Sequence, residues 1–248
     1  MNSAPIVLVP GFWLGAWAWD EVAALLSADG HDVTAITLPG LESVEADRSG
    51  VTMADHVEAI CEAVRAAGAP AVLAVHSGSG APGYGASDRI PELIAAMVYV
   101  DSGPAVGALN PDFAEVEWPL PSWEELEADP GNSLKGITTE QLERWRRRAV
   151  PQPGAALREA AELTDDARLD LPSVVVCTAL TSDQIREAVE QGFDWVAGLA
   201  ELRDVTYVDL PTSHWSMWTR PRELAAIIGD VAMSHGAASG EAGRASRG

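Results

Sequence analysis

The chain has 248 residues, 47% apolar and 21% charged, an ordinary balance for a globular protein able to bury a sizeable core. Its formal net charge of -21 and pI of about 4.4 argue against nucleic acid or an anionic membrane surface as partner, because either would repel it. One α/β domain over residues 1–235 is the expectation at this length.

Ile6 to Val9 is an apolar run that follows Met1 without a basic region and meets Pro10-Gly11 too early for a signal peptide, so it reads as a first strand. Val33 to Leu38 reads as a second strand. Thr52 and Asp55 then resemble a capping box, and Met53, Val57, Ile60, Cys61 and Val64 share one helical face, the pattern of a crossover helix. His56 is read on the polar face of that helix. Ala71 to Val75 predicts a third strand, Ala81 to Asp88 a helix, and Met97 to Val100 a fourth strand.

Beyond Asp101 the alternation stops. Trp118-Pro-Leu-Pro121, Pro130-Gly131 and Pro151-Gln-Pro153 punctuate helical stretches such as Thr138 to Ala149, which predicts a small helical cap inserted over residues 102–170. Val174 to Cys177 and Val205 to Val208 resume the strand pattern, and Arg222 to Ile228 reads as a closing helix. Residues 236–248 are Gly, Ala, Ser and charged side chains, a composition that predicts a disordered tail. Nearly all the strands are apolar throughout, as strands buried on both faces are, so the expected fold is α/β, a mostly parallel central sheet with helices on both faces. No stretch approaches the ~20 apolar residues of a membrane span. The two cysteines, Cys61 and Cys177, read as small buried apolar residues, which fits a reducing, cytoplasmic compartment.

The chemistry is concentrated in Ala71-Val-Leu-Ala-Val-His-Ser-Gly-Ser-Gly80, where an apolar strand runs straight into small residues. A serine on a sharp strand-to-helix turn is held with its hydroxyl at the carboxyl edge of the sheet. Ser77 directly ends the strand and is the candidate nucleophile. Its neighbours two positions away are Val75 and Ser79, where a G-x-S-x-G elbow has glycines, and Ser79 stays open as an alternative on that ground. Standing alone, the segment would also suit a Gly/Ser turn with no chemistry. A second signal lies in the loop Asp209-Leu-Pro-Thr-Ser after the last strand, where His214 is placed to act as general base. His31, His56 and His235 fit that role less well, and His76 reads as structural. At the first turn, Pro10-Gly11-Phe12-Trp13, the Phe12 amide can point at a developing oxyanion together with the amide of Gly78, the residue after the nucleophile.

Val7-Leu-Val-Pro-Gly-Phe-Trp-Leu-Gly-Ala-Trp-Ala-Trp19, then Gly30 to Gly40, Asp88-Arg-Ile-Pro-Glu-Leu-Ile and Leu210-Pro-Thr-Ser-His-Trp resemble, in that order, the α/β-hydrolase superfamily, specifically plant methylesterases and hydroxynitrile lyases and their bacterial relatives. The resemblance covers residues 4–232 and implies the α/β-hydrolase fold and serine-hydrolase chemistry. V-H-S-G-S-G matches the family's G-H-S-x-G-G with the departures just named. Those relatives carry an aspartate shortly after the penultimate strand, but Cys177-Thr-Ala-Leu180 has leucine there. Other superfamily members carry the acid at the end of the preceding strand, and Val98-Tyr-Val-Asp101 resembles that arrangement. Asp101 is the first choice of acid, Asp183 the alternative, with Asp209 or no acid still open.

Nine tryptophans are many for this length. Trp13, Trp118, Trp123 and Trp215, with Trp218, fall in loops or the insertion and are expected to wall an apolar substrate pocket, although each alone suits core packing as well. The expected function is hydrolysis of an ester, thioester or lactone of a small hydrophobic substrate through an acyl-enzyme, with no cofactor and no metal. A lyase or cyclase on the same scaffold, or a non-catalytic ligand receptor, stays open as an alternative. The oligomeric state is open, a homodimer included.

Overall fold

The computed structural model describes residues 3–128 and 133–242. Eight strands occur among them: β1 (Ile6–Val9), β2 (Val33–Ala35), β3 (Ala71–His76), β4 (Ile94–Val100), β5 (Glu117–Trp118), β6 (Gln152–Pro153), β7 (Ser173–Cys177) and β8 (Val205–Asp209). Six of them form one sheet in the order β2-β1-β3-β4-β7-β8, and every pairing in it is parallel. β5 and β6 pair separately and antiparallel inside the insertion.

The strand sequences divide the core by their alternation. Ile6, Leu8, Val72, Ala74, Val98, Val100 and Val176 face one apolar cluster, while Val7, Val9, Leu73, Val75, Met97, Tyr99, Val175 and Cys177 face another. Helices Asp20–Ala28 and Pro221–Ala242 cover the first side; Met53–Ala66, Gly80–Arg89 and Ser182–Glu190 cover the second. Both faces being sealed, the strands carry few polar side chains, as a parallel sheet requires. Each fully buried aliphatic side chain contributes about 1.5–3 kcal/mol of transfer free energy.

The capping box at Thr52 is present: its hydroxyl accepts from Asp55 N, and the Asp55 carboxylate accepts from Thr52 N. His56 differs from the sequence reading. It is 1% exposed, and its Nε2 donates to Pro39 O at 2.9 Å. It stands one turn before Ile60, on the edge of the apolar face, where the backbone of Pro39 supplies the polar partner. The predicted strand Val33 to Leu38 keeps only its first half in β2, an edge strand that leaves the sheet before Pro39-Gly40.

Between β4 and β7 lie the β5/β6 pair and the short helices Trp123–Ala128, Thr139–Arg148 and Ala155–Arg158. The expected Pro130-Gly131 break lies outside the described residues. The last helix runs past His235 to Ala242, where composition alone predicts a disordered tail. Packing of Val231 and Ala232 against the core nucleates it, and extending a formed helix is far easier than starting one. The rest of the expected tail, 243–248, lies outside the described residues. No helix among the described residues is long and apolar enough to cross a membrane.

Candidate active site

Because β1, β3, β4, β7 and β8 are all parallel, their carboxyl ends share one edge, and the loops leaving them converge there. Ser77 leaves β3 with φ +52°, a left-handed conformation that L-residues avoid unless the surroundings impose it. Gly11, leaving β1, packs against it: a Cβ there would stand 2.8 Å from Ser77 Cβ and 2.8 Å from His76 Nδ1. Only glycine lets the two turns approach so closely.

Both departures from the glycine-flanked elbow have a local compensation. Val75 takes the space that Gly83 leaves open, since a Cβ on Gly83 would come within 2.5 Å of Val75 Cγ1. Ser79 is 2% exposed, and its hydroxyl accepts from His76 N at 2.9 Å while donating to the His76 carbonyl at 2.8 Å. That hydroxyl is tied into the backbone of the turn. The Ser77 hydroxyl instead lies 2.8 Å from His214 Nε2.

His214, in the loop after β8, completes a chain of contacts. Its Nδ1–H donates to Asp101 Oδ2 at 2.6 Å, which leaves Nε2 free to accept from Ser77. Asp101 ends β4 at φ +43°, and its other oxygen accepts from the amides of Thr178 at 3.3 Å and Ala179 at 3.1 Å in the loop after β7. Burial opposes the charge on Asp101, yet hydrogen bonds from His214, Thr178 and Ala179 and the nearby imidazole outweigh it and hold the carboxyl below its ordinary pKa. Asp183 is elsewhere: its side chain is 94% exposed and pairs with Arg186. Asp209 is engaged by the backbone and hydroxyl of Ser182.

His76 contributes indirectly. Its Nε2 donates to the His214 carbonyl at 2.9 Å, so it fixes the backbone of the loop that carries the imidazole. Burial above all, and then the neighbouring His214, push its pKa far below the usual value, so it stays neutral.

Residues 6–227 match the Alpha/beta hydrolase family. The chain belongs to that family. Among similar proteins, rice esterase PIR7B is 37% identical over 107 residues, covering 41% of this chain and 40% of that protein. Methylesterase 7 of Arabidopsis thaliana is 35% identical over 104 residues, covering 40% of each. The carbendazim hydrolyzing esterase of Nocardioides is 33% identical over 101 residues, covering 40% of this chain and 42% of the relative. The chain thus aligns with about two fifths of the length of these relatives. Tomato methylketone synthase I has the same fold, with a TM-score of 0.72 at 15% identity over 95% of this chain and 99% of its own. So does an extracellular α/β-hydrolase from Paenibacillus, with a TM-score of 0.67 at 19% identity over 92% and 99%.

In this α/β-hydrolase a cavity of about 790 Å³ opens beside Ser77, lined by Phe12, Gly78 and Asp101 and by two segments that sequence reasoning missed, 102–109 and 194–195 with 197–198. None of Trp13, Trp118, Trp123 and Trp215 lines it, contrary to the sequence expectation. Trp13 and Trp118 pack at 4.5 Å and border a separate pocket. Trp123 packs on Trp145, and Trp215, 3% exposed, stacks on Trp218. These rings pack against one another in tilted and stacked pairs. The tryptophan at the cavity is Trp195, 59% exposed.

The Phe12 amide has no acceptor among the described residues, and the Phe12 ring covers Gly78 so closely that a Cβ there would come within 2.3 Å of it. Among the described residues no three or more His, Cys, Asp or Glu gather as metal ligands.

Proposed function

We propose that the protein hydrolyses a carboxylic ester of a small hydrophobic substrate through an acyl-enzyme on Ser77. The observation that carries the proposal is the unbroken line Ser77 Oγ to His214 Nε2 at 2.8 Å and His214 Nδ1 to Asp101 Oδ2 at 2.6 Å. His214 takes the serine proton as Oγ attacks the ester carbonyl, and Asp101 fixes the imidazole tautomer and stabilises the imidazolium without itself taking the proton. The developing oxyanion is met by the amides of Phe12 and Gly78. His214 returns its proton to the departing alkoxide, and water then repeats the attack on the acyl-enzyme.

The similar proteins named above as esterases support ester chemistry. The cavity supports an uncharged, apolar ester. Its apolar lining includes Val106, Leu109 and Trp195, and among the described residues the charged side chains lining it are the carboxylates Asp101, Glu159 and Asp194. Asp101 is engaged by His214, Thr178 and Ala179, and Glu159 accepts from Met53 N at 2.8 Å and lies 3.9 Å from Arg158.

A fluorophosphonate probe with the modified residue mapped, alongside Ser77→Ala, tests the reading. Labelling at Ser77 and a loss of roughly 10⁴-fold or more in ester turnover are expected. Full turnover by Ser77→Ala would end it. Solvent ¹⁸O must also appear in the acid product, which separates hydrolysis from a lyase or cyclase reaction.

A further inference from the structure

We propose that Gln152, carried by the insertion and not by the central sheet, is the positioning residue of the oxyanion turn. This rests on the reading of Ser77 as nucleophile and of the Phe12 amide as an oxyanion donor. The turn is closed by Leu14 N–H donating to Gly11 O at 3.3 Å, and Trp13 occupies its third position at φ +65°. The third position of a turn with positive φ favours glycine. A tryptophan persists there only where its surroundings over-determine it.

Two hydrogen bonds hold the Trp13 backbone, both from the stretch 150–152. Trp13 N–H donates to Gln152 Oε1 at 3.0 Å, and Trp13 O accepts from Val150 N–H at 3.0 Å. The second is backbone to backbone and survives any side-chain change; the first is one side chain's work. Gln152 is 1% exposed and borders, with Gly11, Phe12, Gly78 and Ser79, a cavity of about 10 Å³. It therefore stands beside both proposed oxyanion donors.

Without Oε1 the Trp13 amide is a buried donor lacking a partner, a costly state. Relief requires the turn itself to shift: as Trp13 relaxes toward negative φ and its N–H swings to a new partner, Phe12 is displaced and the Gly11–Phe12 peptide, which carries the Phe12 N–H, turns with it. The aim of the Phe12 amide is then lost. Charge that develops only in the transition state loses a donor, whereas ground-state contacts along the cavity wall remain. Such a loss lowers kcat and leaves KM in place.

Three variants test this on the full chain. Gln152→Met keeps the shape without an acceptor, Gln152→Asn keeps an amide that stops one bond short, and Gln152→Glu keeps the acceptor oxygen in reach. Expected is a fall in kcat of about 10²- to 10³-fold for whichever of Met and Asn folds, with KM about unchanged and Glu restoring most of the rate in the pH range where its buried carboxyl is neutral. Wild-type kcat in a folded Met or Asn variant overturns the proposal. So do equal losses in all three that follow their melting temperatures. Fluorophosphonate labelling of wild type keeps the two readings apart: no label at Ser77 refutes the hydrolase reading itself, whereas labelling with undiminished Gln152→Met turnover refutes only the positioning role.

Discussion

Asp101→Asn removes one negative charge and almost no volume. Asp101 Oδ1 accepts from the Thr178 and Ala179 amides, and the asparagine carbonyl can keep both bonds, so the fold is held. The asparagine NH₂ then faces His214 Nδ1 across the 2.6 Å contact. Two donors cannot share that bond, so the imidazole gives up its Nδ1 proton and carries it on Nε2, toward Ser77. In that tautomer it cannot accept the serine proton, and loss of the carboxylate leaves imidazolium unsupported. In a triad of this geometry the substitution costs about 10⁴ in kcat, equivalent to about 5.5 kcal/mol of barrier. Hydrolysis of a chromogenic ester gives the rate, and a thermal melt gives the stability. The melting temperature is expected to move by a few degrees at most, since about 1 kcal/mol shifts a chain of this size by roughly 2–4 °C. Asp183→Asn, on the exposed helix start, serves as the silent control. Retention of kcat within about tenfold in Asp101→Asn would refute the assignment of the carboxylate.

The exchange between Val75 and Gly83 predicts a reversal of sign. Gly83→Ala forces a Cβ to within 2.5 Å of Val75 Cγ1 and should destabilise by about 1–3 kcal/mol. In a Val75→Ala background the clash is gone and the same change should stabilise by up to about 1 kcal/mol through helix propensity, as read by denaturant midpoints. The same sign in both backgrounds would contradict the packing argument. Stability should also fall on mild acidification. His76 has a native pKa depressed chiefly by burial, and His56 is shifted the same way for the same first reason. The unfolded chain therefore binds protons before the native one, so stability is intact above the ordinary histidine pKa near 6.5 and declines as pH falls below it. At pH 5 the loss from a native-neutral His76 alone is roughly 2 kcal/mol relative to pH 8. A pH series of urea midpoints checks this, and His76→Gln should flatten it.

The strands were readable because burial on both faces leaves continuous apolar runs such as Ala71–His76 and Ile94–Val100. Ser77 and His214 were readable because the first directly follows β3 and the second lies in the loop after β8, at the same sheet edge. Asp101 needed a resemblance, since an aspartate ending a strand has no distinctive local pattern. Position, weighed above residue type, would have placed His56 correctly, because it shares a helical face with Ile60. The cavity wall was not readable. Composition counts tryptophans but cannot distinguish rings that stack on one another, as Trp17, Trp218 and Trp215 do, from one turned to solvent. Segments 102–109 and 194–198 carry no periodic signal, and Gln152 reaches Trp13 across 139 residues, a separation no local pattern encodes.

Trp13, Ser77 and Asp101 are the non-glycine residues with positive φ among those described. Ser77 and Asp101 directly follow β3 and β4 and Trp13 lies in the turn after β1, and the backbone at each would be more relaxed as glycine. An effort to raise the heat tolerance of this protein by easing backbone torsions would therefore be drawn first to its reactive corner. Variants chosen by melting point alone would drift toward a sturdier, inert scaffold.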